Sequence, residues 1–304
     1  RIITMRILIL GSGAREHAIA WKLSKEIGTE NVFIAPGNGG THACGTNVDF
    51  TFKDRDALKA FCVAEKIDTV IPGSEDAIDA GIRNFIEADN ALTDVLVVSP
   101  DQHAGQLESS KAFAKEFMAK ENIPTAAYQS FTKDTLDEAY AFLDTLEAPY
   151  VLKADGLAAG KGVLILEDLQ EAKDELKQMM VDQKFGAASS TVVIEEFLDG
   201  IEFSVFAVTD GTNYVILPEA KDYKRIGEGD TGLNTGGMGA ISPVPFYTDE
   251  VKKKTIEQIV EPTIRGLSNQ NLNYQGFVFF GLILVNGDPK VIEYNVRMGD
   301  PETE

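Results

Sequence analysis

The heptapeptide VIEYNVR at residues 291–297 has the alternating apolar and polar pattern of a β-strand. Successive side chains of an extended chain point to opposite faces, so Glu293, Asn295 and Arg297 are predicted to share one face. Glu293 and Asn295 offer hard oxygen ligands about 7 Å apart, and Arg297 offers a planar cation for phosphoryl oxygens. The stretch predicts either the metal-and-arginine half of a phosphoryl-transfer site or an edge strand with a solvated polar face, since short motifs have many false positives.

The chain has 304 residues, which is long enough for two or three domains with buried cores. Its content of 44% hydrophobic and 25% charged residues is ordinary for a globular protein. The net charge of −20 argues against nucleic acid or an anionic membrane surface as a partner. Small anions stay possible partners, because a site can concentrate positive charge locally, and the candidates for this are Lys153, Lys224, Arg225 and Arg297.

Cysteine and histidine usage predicts neither disulfides nor zinc. Cys44 and Cys62 form no CxxC pair, and the three histidines are scattered along the chain. The apolar run at residues 7–10 is far shorter than a signal-peptide core or a membrane span. We therefore expect a cytoplasmic protein that acts on small molecules, with no membrane or nucleic-acid partner. The oligomeric state is open, and a monomer is favoured.

Residues 5–107 alternate between apolar strand-like segments and helix-like segments. The strand-like segments are 6–10, 32–35, 69–71 and 95–98, and the helix-like segments are 14–25, 53–65 and 75–88. This alternation predicts a parallel sheet covered on both faces. In such sheets ligands bind where the strands end, so the loops at 11–13, 36–40 and 72–75 are candidate binding loops.

The first of these loops partly matches a dinucleotide-binding motif. Gly11 and Gly13 fit that motif, but Glu16 stands where it requires a third glycine or alanine. The second strand is followed by Pro36 rather than by an acidic residue for a ribose hydroxyl. A dinucleotide-dependent oxidoreductase is therefore only an alternative, whereas an anion at this helix N-terminus stays possible.

A second glycine-rich loop, ADGLAAGKGV at residues 154–163, connects two predicted strands. It is not a P-loop, because its spacing is one residue short and Gly162 replaces the Ser or Thr that binds Mg²⁺. Its glycines allow the backbone to approach phosphates and the loop to open and close, while Lys153 and Lys161 supply positive charge. The alternative interpretation is a flexible hairpin tip.

The remaining segments predict helices and one long loop. Helices are predicted at 109–121, where Lys111 lies in the first turn against the helix dipole, and at 248–267. A polar stretch at 219–240 is predicted to be irregular. A loop of that length inside a compact domain is usually functional or disordered.

Taken in order, several segments resemble the ATP-grasp superfamily, in which ATP lies between two α+β subdomains. These are Lys111, Lys153 with its glycine-rich loop, EEFL at 195–198 and ExNxR at 293–297. Three longer motifs are similar to the phosphoribosylamine–glycine ligase family, also called glycinamide ribonucleotide synthetases. They are LKADGLAAGKGV at 152–163, DYKR at 222–225 with NTGGMG at 234–239, and EYNVRMGDPE at 293–302. GAREH at 13–17 and PGNGG at 36–40 match that family too, so the resemblance covers nearly the whole chain from Met5.

The resemblance implies an α/β fold in which a Rossmann-like, parallel-sheet domain precedes an α+β ATP-grasp domain with a mobile lid. The implied bounds are 5–107 for the first domain, 108–127 and 199–304 for the ATP-grasp core, and 128–198 for the lid. The family continues into a C-terminal domain that we expect to be absent from this chain. An inactive ATP-binding fragment is therefore one alternative.

The resemblance also implies a role for individual residues. The implied metal ligands are Glu293 and Asn295. Many ATP-grasp enzymes carry a further metal-binding glutamate at the position of Gly281, but a glycine has no side chain to bind a metal, and the ligase family also has a glycine there. The implied catalytic residues are Arg297, Lys153, Asp222 and Arg225. The implied ATP-binding residues are Lys111, Lys153, Gly156, Gly160, Lys161, Gly162, Glu195, Glu196, Leu198 and Glu202. The implied substrate-binding residues are Gly13, Gly39, Lys224, Asn234, Gly236, Gly237 and Asp300.

The implied activity is the ATP-dependent ligation of glycine to 5-phosphoribosylamine through glycyl phosphate. The products would be glycinamide ribonucleotide, ADP and phosphate, in de novo purine synthesis, with Mg²⁺ or Mn²⁺ as cofactor. Another ATP-grasp carboxylate–amine ligase would share everything except the substrate loops.

Overall fold

A computed structural model describes residues 5–156, 162–229 and 231–304, without the side chains of residues 187, 189, 233, 234 and 236. The first sheet contains five parallel strands in the order β3-β2-β1-β4-β5. Its strands are β1 (Ile7–Gly11), β2 (Val32–Pro36), β3 (Thr46–Asn47), β4 (Thr69–Pro72) and β5 (Leu96–Val97). The helices of this region are α1 (Ala14–Ile27), α2 (Arg55–Glu65), α3 (Glu75–Asp79) and α4 (Ile82–Ala88).

This sheet is covered on both faces, as the alternation of elements predicts. Along β1, Leu8 and Leu10 belong to one buried cluster, whereas Ile7 and Ile9 belong to another. Because successive side chains of a strand point to opposite faces, both faces of β1 are packed. A strand buried on both faces needs a continuous apolar run, and for this reason β1 could be predicted from the sequence.

The single helix predicted over residues 75–88 is wrong in detail, because two helices occupy this segment. Gly81 separates α3 from α4 and adopts a left-handed conformation with φ of 72°. Glycine reaches this region of backbone space without steric cost, so the chain can turn there. Helix α2 begins after an N-cap residue of a preferred type, since the Asp54 side chain accepts a hydrogen bond from the Ala57 N–H.

A short connection leads from the first sheet to the second. It contains β6 (Ser99–Pro100), α5 (Gln106–Ser109) and α6 (Lys111–Glu121). The second sheet has four antiparallel strands in the order β7-β10-β8-β9. Its elements are β7 (Tyr128–Thr132), α7 (Leu136–Leu143), β8 (Tyr150–Ala154), β9 (Val163–Leu166), α8 (Leu169–Met180) and β10 (Thr191–Glu195).

The four-stranded sheet has one apolar face and one face that carries charged side chains. Leu152 and Ile194 pack into the cluster that α7 and α8 form over one face. Lys153 and Glu195 alternate with them and therefore point to the opposite face. This register places an acidic and a basic side chain on neighbouring strands.

The third sheet has six strands and carries the C-terminal part of the chain. Its main path is β13-β12-β11-β14-β15, and β6 pairs with β14. Its strands are β11 (Ile201–Thr209), β12 (Tyr214–Gly227), β13 (Thr231–Ile241), β14 (Tyr274–Val285) and β15 (Asp288–Asn295). The helices are α9 (Asp249–Thr255) and α10 (Glu261–Asn269), joined by a π-helix at Ile256–Val260.

The irregular stretch predicted at 219–240 is wrong, because most of it forms the hairpin of β12 and β13. The pairing of these two strands is interrupted by register shifts on either side of Arg225. Strands held mainly by backbone hydrogen bonds, with several glycines, lack the alternating apolar pattern by which a strand is recognised. The sequence therefore marked residues 219–240 as an unusual segment but did not predict that they form a hairpin.

The helices bury one face of the six-stranded sheet, and the other face carries polar side chains together with a small apolar cluster of Phe206, Ala220 and Phe279. Phe280 and Tyr294 pack with Phe117 of α6 in a single large core. The domain bounds stay a prediction, and the pairing of β6 with β14 shows that the first predicted domain contributes a strand to the third sheet. Among the described residues, no helix is both long and apolar enough to cross a membrane.

Candidate active site

Glu293 lies on the polar face of the six-stranded sheet, directly opposite Gly281 of β14. A Cβ atom added at Gly281 would approach the Glu293 Cγ to 3.0 Å, so the glycine leaves room for this carboxylate. The other polar side chains that line the same cleft are Glu202, Ser204, Asp222 and Lys224. The predicted strand therefore contributes to a polar cleft and is not a bare solvated edge.

Nearby positive charges favour the ionised form of the Glu293 carboxylate. Protein atoms surround it from the sides although water reaches it, and this desolvation alone would raise its pKa. The charges of Lys224, Lys153 and Lys111 outweigh desolvation and lower the pKa of Glu293. The charges of Lys111 and Lys153, both more than 100 positions from Glu293 in the sequence, thus act on its carboxylate.

Asn295, the second predicted metal ligand, is the buried last residue of β15, and Arg297 lies just beyond the strand rather than on it as predicted. Its side-chain nitrogen Nδ2 is buried without a hydrogen-bond partner among the described residues. The nitrogen and the oxygen of a side-chain amide are assigned from their hydrogen-bond partners, so the unpaired atom can equally be the oxygen. An unpaired amide oxygen is what a side chain that binds a further ligand requires.

A divalent cation fits this pair of donors. Mg²⁺ prefers oxygen ligands and is commonly bound by one or two protein side chains together with substrate phosphates. No group of three or more His, Cys, Asp or Glu residues able to hold a metal occurs within the described ranges. The ligand assignment of Glu293 and Asn295 stays a prediction.

Arg297 is held by two carboxylates that the sequence analysis did not single out. Its Nη2 lies 2.7 Å from Glu108 Oε1, and its Nε donates to Glu75 Oε2 at 3.2 Å. Glu108 also accepts a hydrogen bond of 2.8 Å from the Val296 N–H. Burial raises the pKa of Glu108 to about 7, although the charge of Arg297 opposes this rise. Arg297 therefore joins the end of β15 to α3 and α5.

Lys111 and Lys153 approach the cleft from the side of the four-stranded sheet. Lys111 donates from Nζ to the Gly156 carbonyl oxygen at 3.4 Å, and Lys153 donates to Glu195 Oε2 at 3.0 Å. Desolvation lowers the pKa of Lys111, while the charge of Glu293 opposes this. Glu195 is buried, and its second oxygen, Oε1, has no hydrogen-bond partner among the described residues.

Lys115 was missed by the sequence analysis. It is 2% exposed, and its Nζ lies 3.1 Å from Glu195 Oε2. Lys111 and Lys115 are four residues apart on α6 and so lie on one helix face. That spacing places Lys115 on the same face as Lys111, but the sequence does not show that its side chain is buried.

The glycine-rich loop is described at its two ends. A Cβ added at Gly156 would lie 2.7 Å from the Ala188 Cβ, so this glycine permits a close approach of two segments. The carbonyl oxygen of Gly162 accepts a hydrogen bond of 2.7 Å from the Ala154 N–H. Gly160 and Lys161 lie outside the described residues, and their roles stay predictions.

The segment after β10 holds the other predicted nucleotide contacts. Glu196 donates its backbone N–H to the Ala127 carbonyl and lies 3.5 Å from the Lys290 ammonium. Leu198 is half-buried in the following turn, and Glu202 is exposed at the rim of the cleft. Their contact with ATP stays a prediction.

The first-sheet loops are organised around Glu16. Its carboxylate accepts a hydrogen bond of 2.7 Å from the Gly13 N–H. A Cβ atom added at Gly73 would lie only 2.3 Å from Glu16 Oε1, so the glycine leaves room for this carboxylate. Asn38 donates to the Ser12 carbonyl and joins the first two loops. Gly39 faces open space. Glu16 thus lies against two of the three predicted binding loops, and Asn38 connects the third loop to them.

The DYKR segment lies on β12 and faces the cleft in part. The Asp222 carboxylate is buried and lies 3.5 Å from the Lys224 ammonium. Desolvation would lower the pKa of Lys224, but the charges of Glu293 and Asp222 raise it. The predicted catalytic residue Arg225 is exposed where β12 pairs with β13, and its role stays a prediction.

The remaining predicted substrate residues lie on β13 and after β15. Asn234 pairs with β12 through its backbone, and the Asn234 side chain and the surroundings of Gly236 are outside the described part. Gly237 has φ of 128°, and a Cβ there would approach the Pro301 Cδ to 2.6 Å. The exposed Asp300 precedes that proline, so the two predicted substrate segments are in contact.

Comparison with known proteins shows the family to which this chain is related. Residues 5–108 match the phosphoribosylglycinamide synthetase N domain, and residues 109–303 match the ATP-grasp (A) domain of the same enzyme family. The chain is 45% identical over 300 residues to phosphoribosylamine–glycine ligase of Fusobacterium nucleatum, covering 99% of this chain and 69% of that protein. It is 47% identical over 305 residues to the Chlorobaculum tepidum ligase, covering 99% and 70%.

A crystal structure of phosphoribosylamine–glycine ligase from Thermotoga maritima has a similar fold. Its TM-score is 0.84 at 38% identity, and the match covers 98% of this chain and 70% of that one. The predicted fold class and family are therefore confirmed. The chain belongs to the phosphoribosylglycinamide synthetase family of ATP-grasp ligases.

Proposed function

We propose that this chain catalyses the ATP-dependent ligation of glycine to 5-phosphoribosylamine, which yields glycinamide ribonucleotide, ADP and phosphate in purine biosynthesis. The names of its relatives support this activity. The observation that carries the proposal is the Glu293 carboxylate in this cleft, whose pKa the charges of Lys224, Lys153 and Lys111 lower. A fixed array of opposite charges is what phosphoryl transfer requires most.

We assign the divalent cation to Glu293 and Asn295. When bound there, Mg²⁺ or Mn²⁺ supplies charge neutralisation to the phosphoryl oxygens. The Glu293 carboxylate is already ionised because neighbouring cations lower its pKa, so no proton must leave before a cation binds.

The lysines and Arg297 bind and orient the reacting groups. Lys111 and Lys153 contact the ATP phosphates, and Arg297 stabilises negative charge on the transferring phosphoryl group. The glycine carboxylate attacks the γ-phosphorus and ADP leaves. The amine of phosphoribosylamine then attacks the carbonyl carbon of glycyl phosphate and phosphate departs, with the amine losing one proton.

The substrate side of the cleft is assigned to two groups of residues. Lys224, beside Asp222, holds the glycine carboxylate, and Gly13 and Gly39 line the ribose phosphate together with Asp300. The glycine-rich loop excludes water, since an acyl phosphate would otherwise be hydrolysed. The compartment that suits this activity is the cytoplasm.

The test is phosphate release with ATP, Mg²⁺, glycine and freshly prepared phosphoribosylamine. We expect release to require all four components and to stop in the Glu293→Gln variant, which keeps the side-chain volume and removes the charge. Because the relatives are longer, the assay includes this chain and a version extended to their full length.

Each alternative predicts a different outcome. Turnover with another amine or carboxylate in place of these substrates would indicate a different ATP-grasp ligase. ATP binding without turnover by this chain, but with turnover by the extended one, would indicate a nucleotide-binding portion that needs the additional length. Absence of turnover by both chains would refute the ligase assignment.

A further inference from the structure

Two buried lysines share one carboxylate oxygen at the junction of the four-stranded sheet and α6. The Nζ atoms of Lys115 and Lys153 lie 3.1 and 3.0 Å from Glu195 Oε2. Lys115 is 2% exposed and Glu195 is 3% exposed. The cluster therefore carries two positive charges and one negative charge in a site with little water.

The two lysines are held differently. Lys115 also donates to Thr125 Oγ1 at 2.8 Å, and that hydroxyl donates to the Val291 carbonyl at 2.6 Å. Lys153 reaches the same carboxylate from the cleft, where its charge acts on Glu293. Lys115 is thus anchored behind Glu195, whereas Lys153 stands between Glu195 and the space assigned to the nucleotide.

We propose that Lys115 is a positioning residue for the nucleotide: it keeps Glu195 paired, so that Lys153 can leave this carboxylate for a phosphoryl oxygen. The inference rests on the ATP-binding part of the proposed function. A buried carboxylate that loses all its cations is strongly disfavoured, so without Lys115 the Lys153 ammonium would stay on Glu195. Lys115 thereby acts on ATP without touching it.

The charges around Lys115 agree with this role. Desolvation lowers the pKa of Lys115 to about 8, and the charge of Glu195 opposes this while that of Lys153 adds to it. Its ammonium also lies 5.5 Å from the Tyr128 ring centre. The protonated state of Lys115 therefore depends on its pairing with Glu195.

A double-mutant cycle tests the proposal. We compare the wild type, Lys115→Met, Glu195→Gln and the double variant, and we measure the dissociation constant for ATP by calorimetry. Lys115→Met is expected to weaken ATP binding by at least about tenfold. In the Glu195→Gln background the same change is expected to alter binding by less than about twofold, because the neutral amide needs no cation.

Two further variants exclude a merely structural effect. Lys120→Met, which removes an exposed lysine of the same helix, serves as the matched control and should bind ATP as the wild type does. Lys115→Arg keeps a cation and should recover most of the affinity. If Lys115→Met fails to fold, Thr125→Val takes its place, since it loosens the anchor but keeps the charge, and it should weaken ATP binding about two- to fivefold.

The outcomes separate this inference from the ligase activity. An equal effect of Lys115→Met in both backgrounds, or no effect in either, would refute the positioning role, as would unchanged ATP binding in Thr125→Val where that variant is used. Because ATP binding is measured directly, a wild type that binds ATP without ligating glycine would overturn the proposed ligase activity and still test Lys115.

Discussion

Replacement of Glu108 by Gln should change how the stability of the protein depends on pH. Glu108 lies beneath the end of β15, where it accepts a hydrogen bond from the Val296 N–H and pairs with Arg297. Burial raises its pKa from 4.5 to about 7, and the charge of Arg297 offsets only part of this rise. The glutamine keeps the shape of the side chain and resembles the protonated acid.

The magnitude follows from the difference between the two pKa values. Each pH unit corresponds to about 1.4 kcal/mol, so a rise from 4.5 to about 7 amounts to about 3 kcal/mol. Between these values the folded protein keeps the Glu108 proton while the unfolded chain loses it. The contribution of Glu108 to the free energy of unfolding is therefore fully present below about pH 4.5 and is lost as the pH rises to about 7.

The assay is urea unfolding of the wild type and Glu108→Gln at about pH 5 and about pH 8. The variant should gain about 2–3 kcal/mol relative to the wild type between these conditions. Ser109→Ala, which removes no titratable group, should show the same difference from the wild type at both pH values. Fluorescence and circular dichroism must report coincident transitions. A difference for Glu108→Gln that is independent of pH would show that burial does not raise this pKa.

Three further changes are predicted. Arg297→Lys cannot make the forked contacts to two carboxylates, so kcat/KM for ATP should fall by about tenfold or more in the phosphate-release assay, and a near-normal value would contradict its assignment. Gly237→Ala brings a Cβ against Pro301 at a positive φ, and a displacement of this loop should lower kcat/KM for phosphoribosylamine by about tenfold or more; unchanged kinetics would show that the loop can shift freely. Phe280→Ala, at a fully buried position, should lower the free energy of unfolding by about 3–5 kcal/mol in urea titrations, and a loss below about 1 kcal/mol would contradict its place in the core.

Much of the first sheet could be predicted from sequence because its strands are buried on both sides. β1, β2 and β4 are apolar runs that end at a glycine or a proline, and Asp54 is an N-cap residue of a preferred type for α2. The hairpin of β12 and β13 could not be predicted in the same way. Its residues are mostly polar or glycine, and its order comes from pairing with a neighbouring strand, which no local pattern records.

Some residues of the candidate site could be named from the sequence, and others could be found only in the structure. The motif residues Lys111, Lys153 and Glu293 were named from the sequence, and the structure brings their charges together. Glu108 and Lys115 were missed, because a charged residue on an amphipathic helix usually faces water. Only the packing of each helix against another segment shows that these two are buried.

The sequence by itself determined the fold class, the family and the order of the chemical groups along the chain, because these depend on residue type and short-range spacing. The tertiary structure decided which charges meet. Arg297 pairs with Glu75 across 222 positions, and Lys115 meets the carboxylate that Lys153 shares. Burial and pairing over such separations arise only when the sheets and helices pack, since both depend on distances that no local segment contains.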